Sequence, residues 1–326
     1  MISLSGMGAY VDGAILTFGI QFVGFTVAAI LQTEIFYDVL GGINFLVLAV
    51  FSMLGSSDEN LLETTEQDPS SATIGGIGKN TVFGILFAIS RGWLLVFLAW
   101  RAHHRKGDAR FDGVRDVPSR FFVFWMVQAL WVFCISLPLL LVVAANDEKD
   151  TTPNNNNDTT VSKNIDYSSL MLLGMAWSIF VEIRSDIVKA NWVSSGRPGG
   201  FCANGPWKHS RHPNYAGEIL TWVFAACYAV MVSNVSSWQS MAVAAISPLF
   251  TLHLLLNTPA TGVWNAEGKN LKRYFEHTDP TVAFYYEEYR RTTPPVFPTF
   301  VIPYESLPLE YQRRFCFEWE RFEYKP

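Results

Sequence analysis

Charge is what this 326-residue chain has least of: Asp, Glu, Lys and Arg make up 16% of it, against roughly 25% in a soluble domain. A water-facing globule is excluded on that ground. Cysteine is also sparse, and Cys134, Cys202, Cys227 and Cys316 show no paired spacing, so neither a disulfide framework nor a metal site is expected. No positive stretch precedes the first apolar run, which argues against a cleaved signal peptide. The apolar runs do not alternate with polar residues, which excludes a membrane β-barrel. No Gly-x-Gly-x-x-Gly follows a strand pattern. Gly75-Gly-Ile-Gly-Lys-Asn80 lacks the Walker spacing and the Ser/Thr after Lys. A Rossmann domain is therefore absent, and that segment is expected to be a flexible loop.

What is present is apolar surface in long runs. Half of the chain is hydrophobic and 15% is aromatic. Seven segments stand out, at about residues 11–31, 35–54, 81–100, 121–145, 167–183, 215–232 and 238–256, most of them near the roughly 20 residues that cross a bilayer. The expected fold is all-α, a polytopic transmembrane bundle of about seven helices over 1–256. Residues 257–326 follow as an aromatic-rich, cytoplasmic C-terminal segment packed on the bundle, and 146–166 form a low-complexity lumenal loop around Asn154–Asn157. Of 24 Lys and Arg, six lie in 101–120, five in 184–211 and nine after 257. The positive-inside rule makes these faces cytoplasmic, with the N-terminus outside. The sequons at Asn157 and Asn234 then fall on the lumenal side. His253, without a second histidine one turn away, reads as an interior histidine rather than a ligand.

Chemistry concentrates in Gly205-Pro-Trp-Lys-His-Ser-Arg-His-Pro-Asn-Tyr-Ala-Gly-Glu-Ile-Leu-Thr-Trp222. Pro213 suits the first turn of a helix. From there Arg211, Asn214, Tyr215, Glu218 and Trp222 fall on one helical face. Lys208, Arg211 and Trp222 would suit a membrane edge, but a carboxylate such as Glu218 is expensive at membrane depth and signals function. One segment earlier, Glu182 and Asp186 stand at i, i+4 with Lys189 one turn on. Arg91, within the third run, has two readings of equal weight: a structural ion pair or a functional cation.

The string Ser210-Arg-His-Pro-Asn-Tyr-Ala-Gly-Glu218 resembles the signature of the DUF1295 group, within the steroid 5-alpha-reductase and sterol-reductase superfamily. Arg110-Phe-Asp-Gly-Val-Arg115, Arg91, Ser136-Leu-Pro-Leu139, Glu182 to Lys189 and Tyr289-Arg-Arg-Thr-Thr-Pro294 are similar too. The likeness extends over roughly residues 11 to 300. It implies NADPH-dependent reduction of a carbon–carbon double bond in a lipid or sterol-like substrate, in the endoplasmic reticulum or another internal membrane. By the same resemblance Asp186, Lys189, Arg211, His212, Asn214, Tyr215 and Glu218 would bind the cofactor, with Glu267 and Tyr289 as weaker matches. Lys208 and Arg290, with Arg211, would help neutralise its phosphates. Tyr37 and Asp38, by position alone, are the candidate catalytic pair that would polarise a carbonyl and supply a proton. Two other readings stand beside it: an S-adenosylmethionine-dependent membrane methyltransferase, against which Asn214 and Glu218 speak, and a non-enzymatic reductase-like membrane protein. Membrane lipids are expected partners and nucleic acid is not, while the oligomeric state is left open.

Overall fold

Long runs with few charges have one stable solution in lipid, because a helix satisfies its own backbone polar groups. The computed structural model describes residues 4–55, 73–74, 77–103, 109–151, 166–233, 238–259 and 262–322. Among them each apolar run is a helix: α1 (Leu4–Leu31), α2 (Tyr37–Gly55), α3 (Lys79–His103), α4 (Pro118–Thr151), α5 (Tyr167–Ser194), α6 (Pro213–Val232) and α7 (Trp238–Asn257). The C-terminal segment adds α8 (Gly262–Phe275), α9 (Pro280–Thr292) and the short α10 (Leu309–Phe315). Prolines open α4, α6 and α9, where the missing N–H costs nothing. Asp279 caps α9 by accepting from the Thr281 N–H at 2.9 Å.

The protein is an all-α, integral membrane protein. Among the described residues six stretches are long and apolar enough to cross a bilayer, the last of them, Trp238–Phe275, running over both α7 and α8. α5 is long, but its second half carries Glu182, Arg184, Asp186 and Lys189, and it is not among the six.

Two expectations are corrected. Lys79 and Asn80 open α3 rather than ending a loop, and ahead of them β1 (Thr73–Ile74) pairs antiparallel with β2 (Ile77–Gly78). His253 is exposed, with Asn257 Nδ2 3.5 Å from its Nδ1. As the helical spacing of Glu182, Asp186 and Lys189 implies, α5 continues past Ile183 to Ser194. The sequons at Asn157 and Asn234 and the asparagine run lie outside the described residues.

The chain divides into two units, one comprising 1–175 and 222–248, the other 176–221 and 249–326. In the first, α1 packs along α4 and α2 packs between α3 and α4. Its core joins Tyr37, Phe111, Phe121 and Trp125. Some polar groups inside it are paired: Gln128 donates to Gln21 Oε1 and to the Tyr37 carbonyl, each at 2.9 Å, and Asn44 donates to the Thr17 carbonyl. In the second, Ala216, Ile219, Leu256, Val263, Val296 and Phe322 form one core cluster. Leu271, Tyr274, Val282 and Tyr286 form another, joining α8 to α9.

Candidate functional site

The second unit is built around the signature loop. Gly205, at φ +57°, starts a single 3-10 turn over Gly205–Lys208. The His212 carbonyl then accepts from the Tyr215 and Ala216 amides and begins α6. Between turn and helix the loop is tied to the tail. Arg211 N donates to the Pro294 carbonyl at 2.9 Å. The Ser210 hydroxyl donates to the Val296 carbonyl and accepts from His212 N. The signature thus holds its shape only with residues 294–296 beside it.

Arg211 is buried, and two carboxylates meet it. Its Nη2 donates to Glu318, and its Nη1 lies 3.6 Å from Glu267 Oε1. His212 Nε2 is 2.9 Å from the same Glu267 oxygen, and its ring stacks on Tyr215 at 5.2 Å. Glu318 also accepts from Arg290 Nη2 at 3.0 Å and from the Tyr304 hydroxyl at 2.7 Å. Burial alone would lower the pKa of Arg211, but Glu267 and Glu318 reverse that and raise it above the usual guanidinium value. Burial likewise pushes Glu318 up, and Arg211 and Arg290 outweigh it, holding the carboxyl below its ordinary range. Both groups stay charged in a site of low exposure.

Around this network lie the other predicted residues. Asn214 Nδ2 donates to Asp186 Oδ1 at 3.1 Å, joining α6 to α5. The Asn214 Oδ1 atom is buried and accepts nothing. Lys189 Nζ lies over the Trp192 ring at 4.5 Å and the Trp207 ring at 4.4 Å. Burial there lowers its pKa to about 8, Arg273 and Arg197 adding to the effect while Cys202 and Glu267 oppose it. The Tyr289 hydroxyl donates to the Trp207 carbonyl and, at 3.3 Å, toward that of Ser210, and burial raises its pKa. Lys208 is exposed at a cleft of about 160 Å³ that it shares with His209, Thr292, Pro298, Tyr304 and Glu305. Glu218 is half-buried in the second turn of α6.

All ten predicted cofactor residues therefore lie in the second unit, but not as a stripe. Arg211 precedes the helix and turns to the tail, and Trp222 belongs to the first unit, with the Arg91 guanidinium 4.6 Å from its ring. Arg91 is buried there, donating to Ser90 Oγ at 2.9 Å and lying 5.5 Å from Phe45. Tyr37 and Asp38 are also in the first unit. The Tyr37 hydroxyl donates to the Phe124 carbonyl at 2.8 Å, and Asp38 accepts from Arg110 on both oxygens. Sequence reasoning missed Glu318, Arg290 as its partner, and Tyr304. Arg290 lies in the family-like Tyr289–Pro294 string, but no motif marks Glu318 or Tyr304, and Glu318 is one of several carboxylates in the tail. Among the described residues no group of His, Cys, Asp and Glu is arranged to hold a metal.

The chain matches one protein-family model, described as a protein of unknown function (DUF1295), over residues 24–293. No curated protein and no solved structure matches it.

Proposed function

The chain belongs to the DUF1295 family, and on that premise we propose that it is a membrane oxidoreductase that uses NADPH to reduce a carbon–carbon double bond in a lipid or sterol-like substrate. The observation carrying this reading is the gathering of the Ser210–Glu218 signature with Asp186, Lys189, Glu267 and Tyr289 in one unit, rich in buried donors and cations. The residues suit the cofactor. Asn214 Oδ1 and the Arg211 Nε and Nη1 atoms are buried without hydrogen-bond partners, an acceptor and two donors of the kinds that a carboxamide, a ribose and a phosphate would satisfy. Buried polar atoms left unpaired are costly, so a ligand that pairs them gains affinity.

NADPH, when bound, supplies the hydride, and the protein's share is to bind and orient it. Arg211 and Lys208 would face phosphate oxygens, arginine with its bidentate fork. Asn214, held by Asp186, would fix a polar edge of the cofactor. Tyr37 is hydrogen-bonded to a main-chain carbonyl and Asp38 is paired with Arg110, so neither is drawn on for the proton. The resemblance to steroid 5-alpha reductases supports the substrate class and nothing finer.

Purified protein in detergent, titrated with NADPH and separately with S-adenosylmethionine, tests the reading by thermal melting. Stabilisation by NADPH alone is expected. Stabilisation by the methyl donor alone would replace it with a methyltransferase. Asn214→Ala and Glu218→Gln should each remove the NADPH shift while leaving the protein in the membrane fraction.

A further inference from the structure

Glu318 sits where two guanidinium groups and a phenol converge. One carboxylate oxygen accepts from Arg211 and Tyr304, the other from Arg290. Two arginines and a hydroxyl are a donor set suited to a phosphate. The set is also larger than a carboxylate can use. Arg211 keeps Nε and Nη1, and Arg290 keeps Nε, buried without a hydrogen-bond acceptor, although the Arg211 side chain is only 3% exposed. A tetrahedral group with three terminal oxygens could engage donors that two coplanar oxygens leave idle. Charge points the same way. With Glu318 withdrawn, Arg211 and Arg290 would face Glu267 alone, with Lys208 at the cleft beyond.

Access and chain position add two independent arguments. Tyr304, which holds Glu318, also lines the cleft of about 160 Å³ beside Lys208 and His209. The residue whose hydroxyl holds Glu318 thus also borders the cleft. Arg211 and Arg290 lie inside the family match, which ends at residue 293, while Glu318 and Tyr304 lie beyond it.

We propose that Arg211, Arg290 and Tyr304 form a phosphate-binding site which Glu318 keeps closed as a tethered competing anion, displaced when a ligand phosphate enters by the Lys208–His209 cleft. The identity of the phosphate's carrier rests on the NADPH reading; the site itself does not. A ligand that binds only the Glu318-free state has its affinity reduced by the fraction of protein in that state. The tail therefore sets the threshold at which the ligand binds.

The test uses the full chain in detergent, at fixed ionic strength, as wild type, Glu318→Gln and Glu318→Asp. Each is titrated with inorganic pyrophosphate and with NADPH, and affinity is read from the melting shift. Glu318→Gln keeps the shape without the charge and should bind both probes about tenfold more tightly or better, as expected if the open state is a tenth of the population or less. Glu318→Asp, too short to reach both arginines, should gain less, and it carries the test if the glutamine variant does not fold. Adding Arg290→Ala to either variant should cancel the gain. A gain for pyrophosphate with no NADPH binding in any form supports the anion site and removes the cofactor reading. Equal NADPH affinity in all forms, with no gain for pyrophosphate, overturns the tethered anion and leaves the cofactor reading standing. No tighter binding of either probe by either variant overturns it as well.

Discussion

At the scale of single residues, two side-chain positions in the second unit have consequences that do not depend on any ligand. Gly217 is where α6 meets α5. A Cβ there would lie 2.8 Å from Glu182 N and from Ser178 O, both backbone atoms of α5. Backbone cannot swing aside, so Gly217→Ala must push the helices apart, at about 1–3 kcal/mol by the usual cost of overpacking. Gly19→Ala, with nothing within 4 Å, is the matched control and should melt no lower than wild type. Lys189 makes a different prediction. Burial between Trp192 and Trp207 lowers its pKa from 10.5 to about 8. Between those values the unfolded chain holds a proton that the folded protein has released, so stability should rise as pH goes from about 8 toward the free-lysine value. Melting curves across that range should show the rise in wild type and a flatter profile in Lys189→Met. An equal slope in both would mean that the lysine keeps its ordinary pKa.

At the scale of elements, the loop Arg110–Arg115 shows which contact matters. Arg110 pairs with Asp38 and Arg115 with Glu34, while Phe111 is buried against Tyr37, Phe121 and Phe124. The Arg110 side chain is 50% exposed, and such pairs contribute at most about 1 kcal/mol. Removing a buried phenylalanine costs about 3–5 kcal/mol. Phe111→Ala should therefore lower the melting temperature several times more than Arg110→Ala; similar losses would mean that the ion pairs, not the ring, hold the loop to α2. Elements were also what the sequence showed best. Continuous apolar runs locate each of α1 to α7, because in lipid hydrophobicity and helicity coincide. The ends were less legible: α5 continues for eleven residues beyond Ile183, since charged residues alone do not stop a helix and no Gly or Pro lies between Arg184 and Ser194. The site was legible in part. The resemblance named Asp186, Asn214, His212 and Glu267 as site residues without predicting which of them meet, and Glu318 reaches Arg211 across 107 positions, a distance over which no periodicity carries information.

For the whole molecule the open physical question is whether α5 crosses the bilayer. Its 28 residues would span about 42 Å at 1.5 Å per residue, more than the roughly 30 Å of hydrocarbon. Only its first part, Tyr167–Ile183, is apolar, and Glu182 at its end is 5% exposed, so this carboxylate is sheltered by protein rather than set in lipid. Charge distribution decides between the alternatives. If α5 crosses, the six cations of 101–120, the five of 184–211 and the nine of the tail share one side. If it does not, the first six are separated from the other fourteen, against the bias that sets orientation in membranes. Seven crossings would put the two termini on opposite sides, with the tail on the cation-rich side that the positive-inside rule assigns to the cytoplasm. Epitope tags at each end, followed by protease treatment of sealed microsomes, separate the two cases. The C-terminal tag should be digested and the N-terminal tag protected until detergent is added. If both tags behave alike, six crossings remain, the cytoplasmic placement of the tail loses its basis, and a nucleotide would have to be sought on the other face.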